Sequence, residues 1–432
     1  MLFNILLDLG LTNYNNRNIA QNNHLVSQYF SGIFLLKFLL GVVYFLITVL
    51  AFTLLGFEIE RLNILIFLCI NQFLISFIQF LRSNLSGLQF YTLDSLLTVL
   101  DKTLMIIICG IFLWHTELKK SFNVFQFTYL QTIAYSITFF IVLFIVFKKI
   151  KNLKFYLSSK RVKIILKQTL PFALLVLTMT FYYRLDSVML DLLHQDSTFE
   201  VAVYAQSFRL LDAGNMIGVL FAGLLLPMFS YMLKKKESVE ELTKFSATLI
   251  FIISFAVFMF TWFDAPIIID MLYNKNQAQS AQVLIPLMSA FVFINLSYIF
   301  GTLLTANGSL RALNTIALGG LVINFSLNYI FIPNYGALGA AYTSLLTQTL
   351  IIIAQIIYCY KQFNFSLKIK ETGRFLLYII LLVAGGYFFK KFNNKIIFDV
   401  LFFGIYSILM AFLLQIVSLP KLKQLLHKKL IE

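Results

Sequence analysis

Charged residues are scarce in this chain. Asp, Glu, Lys and Arg make up 12% of its 432 residues, against 60% hydrophobic residues and a mean hydropathy of +0.86. A soluble domain carries about twice that share of charge, so a water-soluble globular protein is excluded and a multi-pass membrane protein indicated. Cysteine is sparse too. Cys69, Cys109 and Cys359 all fall in apolar runs, without the spacing of a zinc site or a disulfide framework, and read as small core residues. The four histidines, His24, His115, His194 and His427, are scattered over different loops and termini. With no metal-ligand pattern, nucleophile elbow or phosphate-cradling Gly-rich loop, the chain implies no cofactor and no metal. Acidic residues are few, 19 against 34 basic ones, giving a net charge of +15. The bases lie in loops between apolar spans, which fits the cytoplasmic loops of a membrane protein and not nucleic-acid binding.

What is abundant is apolar sequence in lengths of about 17 to 25 residues, enough to cross a bilayer. The opening stretch MLFNILLDLGLTNYNNRNIAQNN lacks a charged start, a clean apolar centre and a small-residue cleavage site, so it is not a signal peptide. Apolar runs then recur near 33–56, 62–82, 95–114, 125–147, 169–192, 202–233, 245–264, 283–306, 310–332, 337–360, 374–390 and 396–418. These are twelve candidate transmembrane helices. Pro171, Pro227, the pair Gly319 and Gly320, and the pair Gly385 and Gly386 interrupt several of them, as membrane helices tolerate.

Alternate loops differ in basic content. One set holds Arg17, Arg82, the cluster from Lys148 to Lys167, the bases of 234–244, Arg311, those of 361–374 and those after Pro420. The opposite set holds only Arg61, Lys119, Lys120, Lys275, Lys390, Lys391 and Lys395. The positive-inside rule places the first set, and both termini, in the cytoplasm. Residues 148–168 contain no acid and are expected to lie on anionic headgroups as a linker between two halves. The division expected is 1–147 as a first helical lobe, 148–168 as a basic cytoplasmic linker, 169–360 as a six-helix lobe, and 361–432 as two extra helices with a basic tail. An internal echo, ILLDLGL at 5–11 and RLLDAGN at 209–215, agrees with two halves. Aligning the two makes the first lobe N-terminally truncated, its own first helix absent.

Apart from Arg82, Arg311, Arg374 and Lys390 at span ends, the bases within the spans are Lys37, Lys102, Arg184 and Arg209. Charge inside hydrocarbon costs roughly 2.5–3.5 kcal/mol on insertion scales, so such residues face a partner or a watery cavity. They concentrate in two neighbouring spans, TLPFALLVLTMTFYYRLDSVMLDLL with Arg184, Asp186 and Asp191, and VYAQSFRLLDAGNMIGVLFAGLLLPMF with Arg209 and Asp212. At 1.5 Å per residue, Arg184 lies about 22 Å from the cytoplasmic start of its span and Arg209 about 10 Å from the outer start of the next. Both therefore reach the outer half of the membrane.

The order of YYRLDSVML, VAVYAQSFRLLDAG, LTANGSLRALN at 304–314 and IPNYGALGAAYTSLLTQ at 332–348 resembles the polysaccharide flippases of the multidrug/oligosaccharidyl-lipid/polysaccharide (MOP) superfamily, over essentially the whole chain. The resemblance implies an all-α integral membrane protein of about twelve helices in two lobes around a central cavity. It also implies export of an undecaprenyl-pyrophosphate-linked oligosaccharide across the bacterial inner membrane for cell-surface polysaccharide biosynthesis.

The charged residues suit such a cargo. Arg offers a planar fork of donors matched to diphosphate, and Asp186 and Asp212 would hold it in place or take part in H⁺ or Na⁺ coupling. The bland alternative is that Arg184 or Arg209 pairs with one of these acids to lock two helices. Asp101 and Lys102 either meet an entering headgroup or snorkel to the interface, and Lys37, nearer a helix start, does the latter. Tyr183, with Tyr182, is placed to stack on sugar. Asn295, Asn324 and Asn328 line a sugar path or join helices. Two other functions compete. A drug or cation antiporter of the same superfamily should be led by acidic residues, whereas bases here match them in number. A membrane glycan polymerase should carry a large external loop, and the longest here, 265–282, offers only Asp270 and Lys275.

Overall fold

The computed structural model describes residues 6–54, 62–114, 123–150, 159–366, 369–391 and 396–416, which are helical throughout apart from turns. In order the helices are α1 (Leu11–Gln21), α2 (Val26–Leu54), α3 (Leu62–Gly87), α4 (Tyr91–Trp114), α5 (Val124–Lys149) and α6 (Ser159–Leu193). They continue as α7 (Ser197–Lys234), α8 (Glu240–Leu272), α9 (Gln277–Asn307), α10 (Leu310–Phe363), α11 (Ile369–Lys390) and α12 (Ile396–Leu413). Of the stretch expected to be a linker, 151–158 lie outside the described residues, and from Ser159 the chain is already α6.

Among the described residues eleven helices are long and apolar enough to cross a membrane. One of them, α10, holds two crossings. Its 54 residues would extend about 80 Å if straight, against roughly 30 Å of hydrocarbon. It breaks at Gly336, with φ 52° and ψ −134°, a conformation open essentially to glycine. On either side Gly339 lies against the Phe331 carbonyl and Gly320 against Ile351 and Thr347, so the arms run antiparallel. Counting each arm, every one of the twelve expected spans coincides with a helix or an arm. Large apolar side chains project outward, Trp114 being 89% and Leu54 78% exposed. Hydrocarbon is the solvent that tolerates such a surface, and the chain is a multi-pass membrane protein.

The chain divides into two compact units, Met1–Thr180 with Leu226–Lys235, and Phe181–Leu225 with Lys236–Glu432. In the first unit α3 packs on α1, α2, α4 and α5. Phe30 stacks on Phe80 at 5.6 Å, and Phe34 meets Phe77 edge-on at 5.4 Å. The polar α1, LTNYNNRNIAQ, is held by amides as well as apolar contact: Asn15 donates to Ser83 Oγ at 2.8 Å. Lys37 does not snorkel as its place near a helix start suggests. It is 1% exposed, bonds to Asp8 Oδ1 at 2.6 Å, and donates to the Ser76 carbonyl at 2.9 Å and Ser76 Oγ at 2.7 Å. Three acceptors match the three N–H bonds of an ammonium, which is what allows a full charge to be buried there.

In the second unit α9 packs against α8 and α10, around a core that includes Leu190, Tyr204, Leu287, Phe291, Ile332 and Ala340. A separate apolar cluster joins α8 to the last two helices through Phe255, Met259, Tyr378, Leu382 and Phe403. The residues that close the first core also turn one acid inward.

Candidate functional site

Asp186 lies on α6 with its side chain in the core of the second unit, 3% exposed. Its Oδ2 accepts hydrogen bonds from Tyr204 Oη on α7 and Ser344 Oγ on the second arm of α10, each at 2.6 Å. Its Oδ1 accepts from Asn328 Nδ2 on the first arm at 2.7 Å, and the same amide donates to Asn324 Oδ1 at 3.1 Å. Asn324, Asn328 and Ser344 fall on facing sides of the hairpin because it folds at Gly336. One carboxylate thus joins α6, α7 and both arms of α10.

Among the described residues no Lys, Arg or His touches this carboxylate. Burying an unpaired ion costs several kcal/mol, while hydrogen bonds to a charged group contribute about 1.5–3 kcal/mol each. Three of them offset much of that penalty without supplying a positive charge. Beside Asp186 is a cavity of about 10 Å³, lined by Tyr182, Phe208, Leu211, Ile294, Ser344 and Gln348. That holds about one water or a small bare ion, and no sugar. Asn328 Oδ1, on the amide that donates to Asp186, is buried without a hydrogen-bond partner among the described residues, leaving an oxygen atom beside the acid. The arrangement is suited to accepting a proton or a monovalent cation.

Arg184 does not hold Asp186. Two residues apart on one helix, they point about 200° from each other, and Arg184 is exposed. On α7, Arg209 and Asp212 are also exposed and, three residues apart, share a face. Arg184 lies near enough to act on Asp212 electrostatically. Of the charged candidates on α6 and α7, Asp186 is therefore buried, while Arg184, Arg209 and Asp212 are exposed. Tyr182 is buried at 6% and lines the Asp186 cavity, which removes it from sugar stacking. The side chain of Tyr183 lies outside the described residues. In the first unit, Lys102 bonds to Asp101 at 2.9 Å, with side chains 58% and 17% exposed.

Tyr204 and Ser344 were not candidates from sequence. A tyrosine and a serine within apolar helices carry no signal until their facing is known. Asn324 and Asn328 did stand out as membrane-embedded amides, and here they serve an acid instead of lining a wide path.

Residues 1–233 match the family described as polysaccharide biosynthesis protein. No curated protein matches the chain. Solved structures similar in fold include a MATE transporter in complex with MaD5, 19% identical over 84% of this chain and 85% of that one at a TM-score of 0.71. Another is MATE in complex with MaL6, at 16% identity, 84% and 86% coverage and a TM-score of 0.70. A MOP superfamily transporter from Pyrococcus furiosus, described as having a binding pocket of reverse polarity that suggests a different function, is 18% identical over 84% of each chain at a TM-score of 0.67.

Proposed function

Because the chain belongs to the polysaccharide biosynthesis protein family and is a membrane transporter of the MOP superfamily, we propose that it moves a lipid-linked oligosaccharide across the bacterial inner membrane for cell-surface polysaccharide synthesis. The cargo's diphosphate is taken by Arg184 and Arg209, with Asp212 orienting them, and Asp186 takes the coupling ion, H⁺ or Na⁺. The observation that carries this reading is the separation of the buried Asp186 from the exposed Arg184 and Arg209 on α6 and α7. Arginines are on the surface, where a bulky anion can reach them, and the acid is buried beside a cavity of about 10 Å³. Both termini and the basic segment 148–168 are assigned to the cytoplasm, with the turn at Gly336 outside, on the distribution of Lys and Arg.

The test is export of surface polysaccharide in a strain lacking the native gene, with membrane protein level checked by immunoblot. Arg184→Lys keeps the charge but not the bidentate fork, and it is expected to cut export at normal protein level. Full export by Arg184→Lys, and by the paired Ala variant of Arg184 and Asp212, would reduce Arg184 to a helix lock. A second reading, export of a cationic compound, is favoured by the exposed carboxylate of Asp212. It predicts that Asp212→Asn abolishes cation extrusion and leaves polysaccharide unchanged.

A further inference from the structure

Lys102 is the twelfth of the 24 residues of α4, about 16–18 Å along the helix from either end. At about 36 Å, α4 is only slightly longer than the hydrocarbon is thick, so a four-carbon stem cannot carry its ammonium to either interface. The side chain does not snorkel. It donates to Asp101 Oδ2 at 2.9 Å, which takes one of the three N–H bonds of the ammonium, and it remains 58% exposed against 17% for the acid. An approaching molecule therefore meets the base.

α4 exposes two faces of different character. Within about 40° of Lys102, at 3.6 residues per turn, lie Ser95 and Thr98 toward the Tyr91 end and Ile106 and Leu113 toward the other. Roughly opposite lie Leu96, Leu100, Ile107, Ile111 and Trp114, an apolar face suited to hydrocarbon. The polar track thus runs from one end of α4 to Lys102 and stops there. Arg82 of α3 stands beside it, donating to Thr98 Oγ1 and, at 2.8 Å, to Asp94 Oδ1, and again the acid is the more buried partner, at 12% against 21%. Charged groups exposed at mid-membrane depth face a watery cavity and not lipid.

We propose that the face of α4 from Ser95 to Lys102 lines a water-filled entry for the cargo, and that Lys102 binds its diphosphate at the inner end. Diphosphate offers several anionic oxygens to the N–H bonds that Asp101 leaves, and the basic loops assign the open end, at the α3–α4 turn, to the cytoplasm. The identity of the ligand rests on the cargo proposed above, and the wet face does not.

With Cys69, Cys109 and Cys359 replaced, the full chain in liposomes of zwitterionic phospholipid would carry a single cysteine at Ser95, Leu96 or Ile107 and meet an impermeant thiol reagent on both sides. Labelling is expected at Ser95→Cys and not at Leu96→Cys or Ile107→Cys. A polyprenyl-diphosphate-linked sugar should block labelling of Ser95→Cys, and Lys102→Gln should abolish that block while labelling without the sugar persists. Asp101→Asn, which leaves the ammonium intact, should lower the amount of sugar needed. Equal labelling of both faces, or none at Ser95→Cys, would overturn the wet face. A block that survives Lys102→Gln, an unchanged sugar requirement in Asp101→Asn, or an equal block by anionic phospholipid alone would overturn the diphosphate site. Transport of the sugar without any block overturns this site and spares the cargo, whereas neither block nor transport overturns both.

Discussion

Ser344 donates a 2.6 Å hydrogen bond to Asp186, a residue 158 positions earlier in the chain. The bond closes the hairpin arm after Gly336 onto α6, while Asn328 holds the arm before it. Changing the charge of Asp186 therefore changes how strongly both arms are gripped.

Removing one donor at a time should weaken that grip measurably. Ser344→Ala and Tyr204→Phe each leave the carboxylate short of one charge-assisted hydrogen bond, a loss of about 1.5–3 kcal/mol. Asp186→Asn should retain fold and protein level but lose most transport, because a neutral amide cannot take up a cation or exchange a proton. Thermal melting of the purified variants beside the export assay checks both expectations. Unchanged export by Asp186→Asn would remove this residue from coupling.

The break at Gly336 makes a second expectation. A Cβ there would run into the Glu200 carboxylate, which accepts a 2.6 Å bond from the Ala337 N–H and so caps the second arm. At φ 52° a side chain also strains the backbone by about 1–2 kcal/mol. Gly336→Ala should lower the melting temperature, and Glu200→Ala should do so through loss of the cap alone. A Gly336→Ala protein as stable as the parent would contradict this account of the turn.

Lys37 and Asp8 offer a double-mutant cycle. Deleting one partner of a buried pair costs up to about 3–5 kcal/mol, since the other charge is left uncompensated, and the 25% exposure of the Asp8 side chain puts this pair toward the lower end. Lys37→Met alone should therefore be severe, and Lys37→Met combined with Asp8→Asn should recover part of the loss. Melting temperatures of the four proteins decide it: additive losses would mean that the pair is not coupled.

The membrane crossings were legible because each is a long apolar run, and even the fold-back of α10 was marked by IPNYGALG between two such runs. The partners of charged residues were not legible. Asp186 sits two residues from Arg184, which invites pairing, yet helical geometry turns them apart. Its actual partners lie 18, 142 and 158 residues away. Lys37 likewise reads as a residue near a helix end, and it is the contacts with Asp8 and Ser76 that hold the amine inside. Facing depends on which helices are neighbours, and a single sequence does not fix that.

Orientation can be checked with thiol labelling. After replacement of Cys69, Cys109 and Cys359, a cysteine at Ser159 should resist a membrane-impermeant reagent in intact cells, and one at the exposed Asn334 should react. The opposite pattern would invert the topology read from the basic loops.

Transport of a lipid-linked anion is the central claim, and reconstitution tests it most directly. The purified chain would be placed in liposomes with a polyprenyl-diphosphate-linked sugar, and transbilayer movement measured by access of an external lectin. Protein-dependent movement, slowed at least about tenfold by Arg184→Lys, roughly 1.4 kcal/mol of lost stabilisation, is the predicted result. Movement no faster than in protein-free liposomes, with a cationic dye carried across by the same preparation, would contradict it.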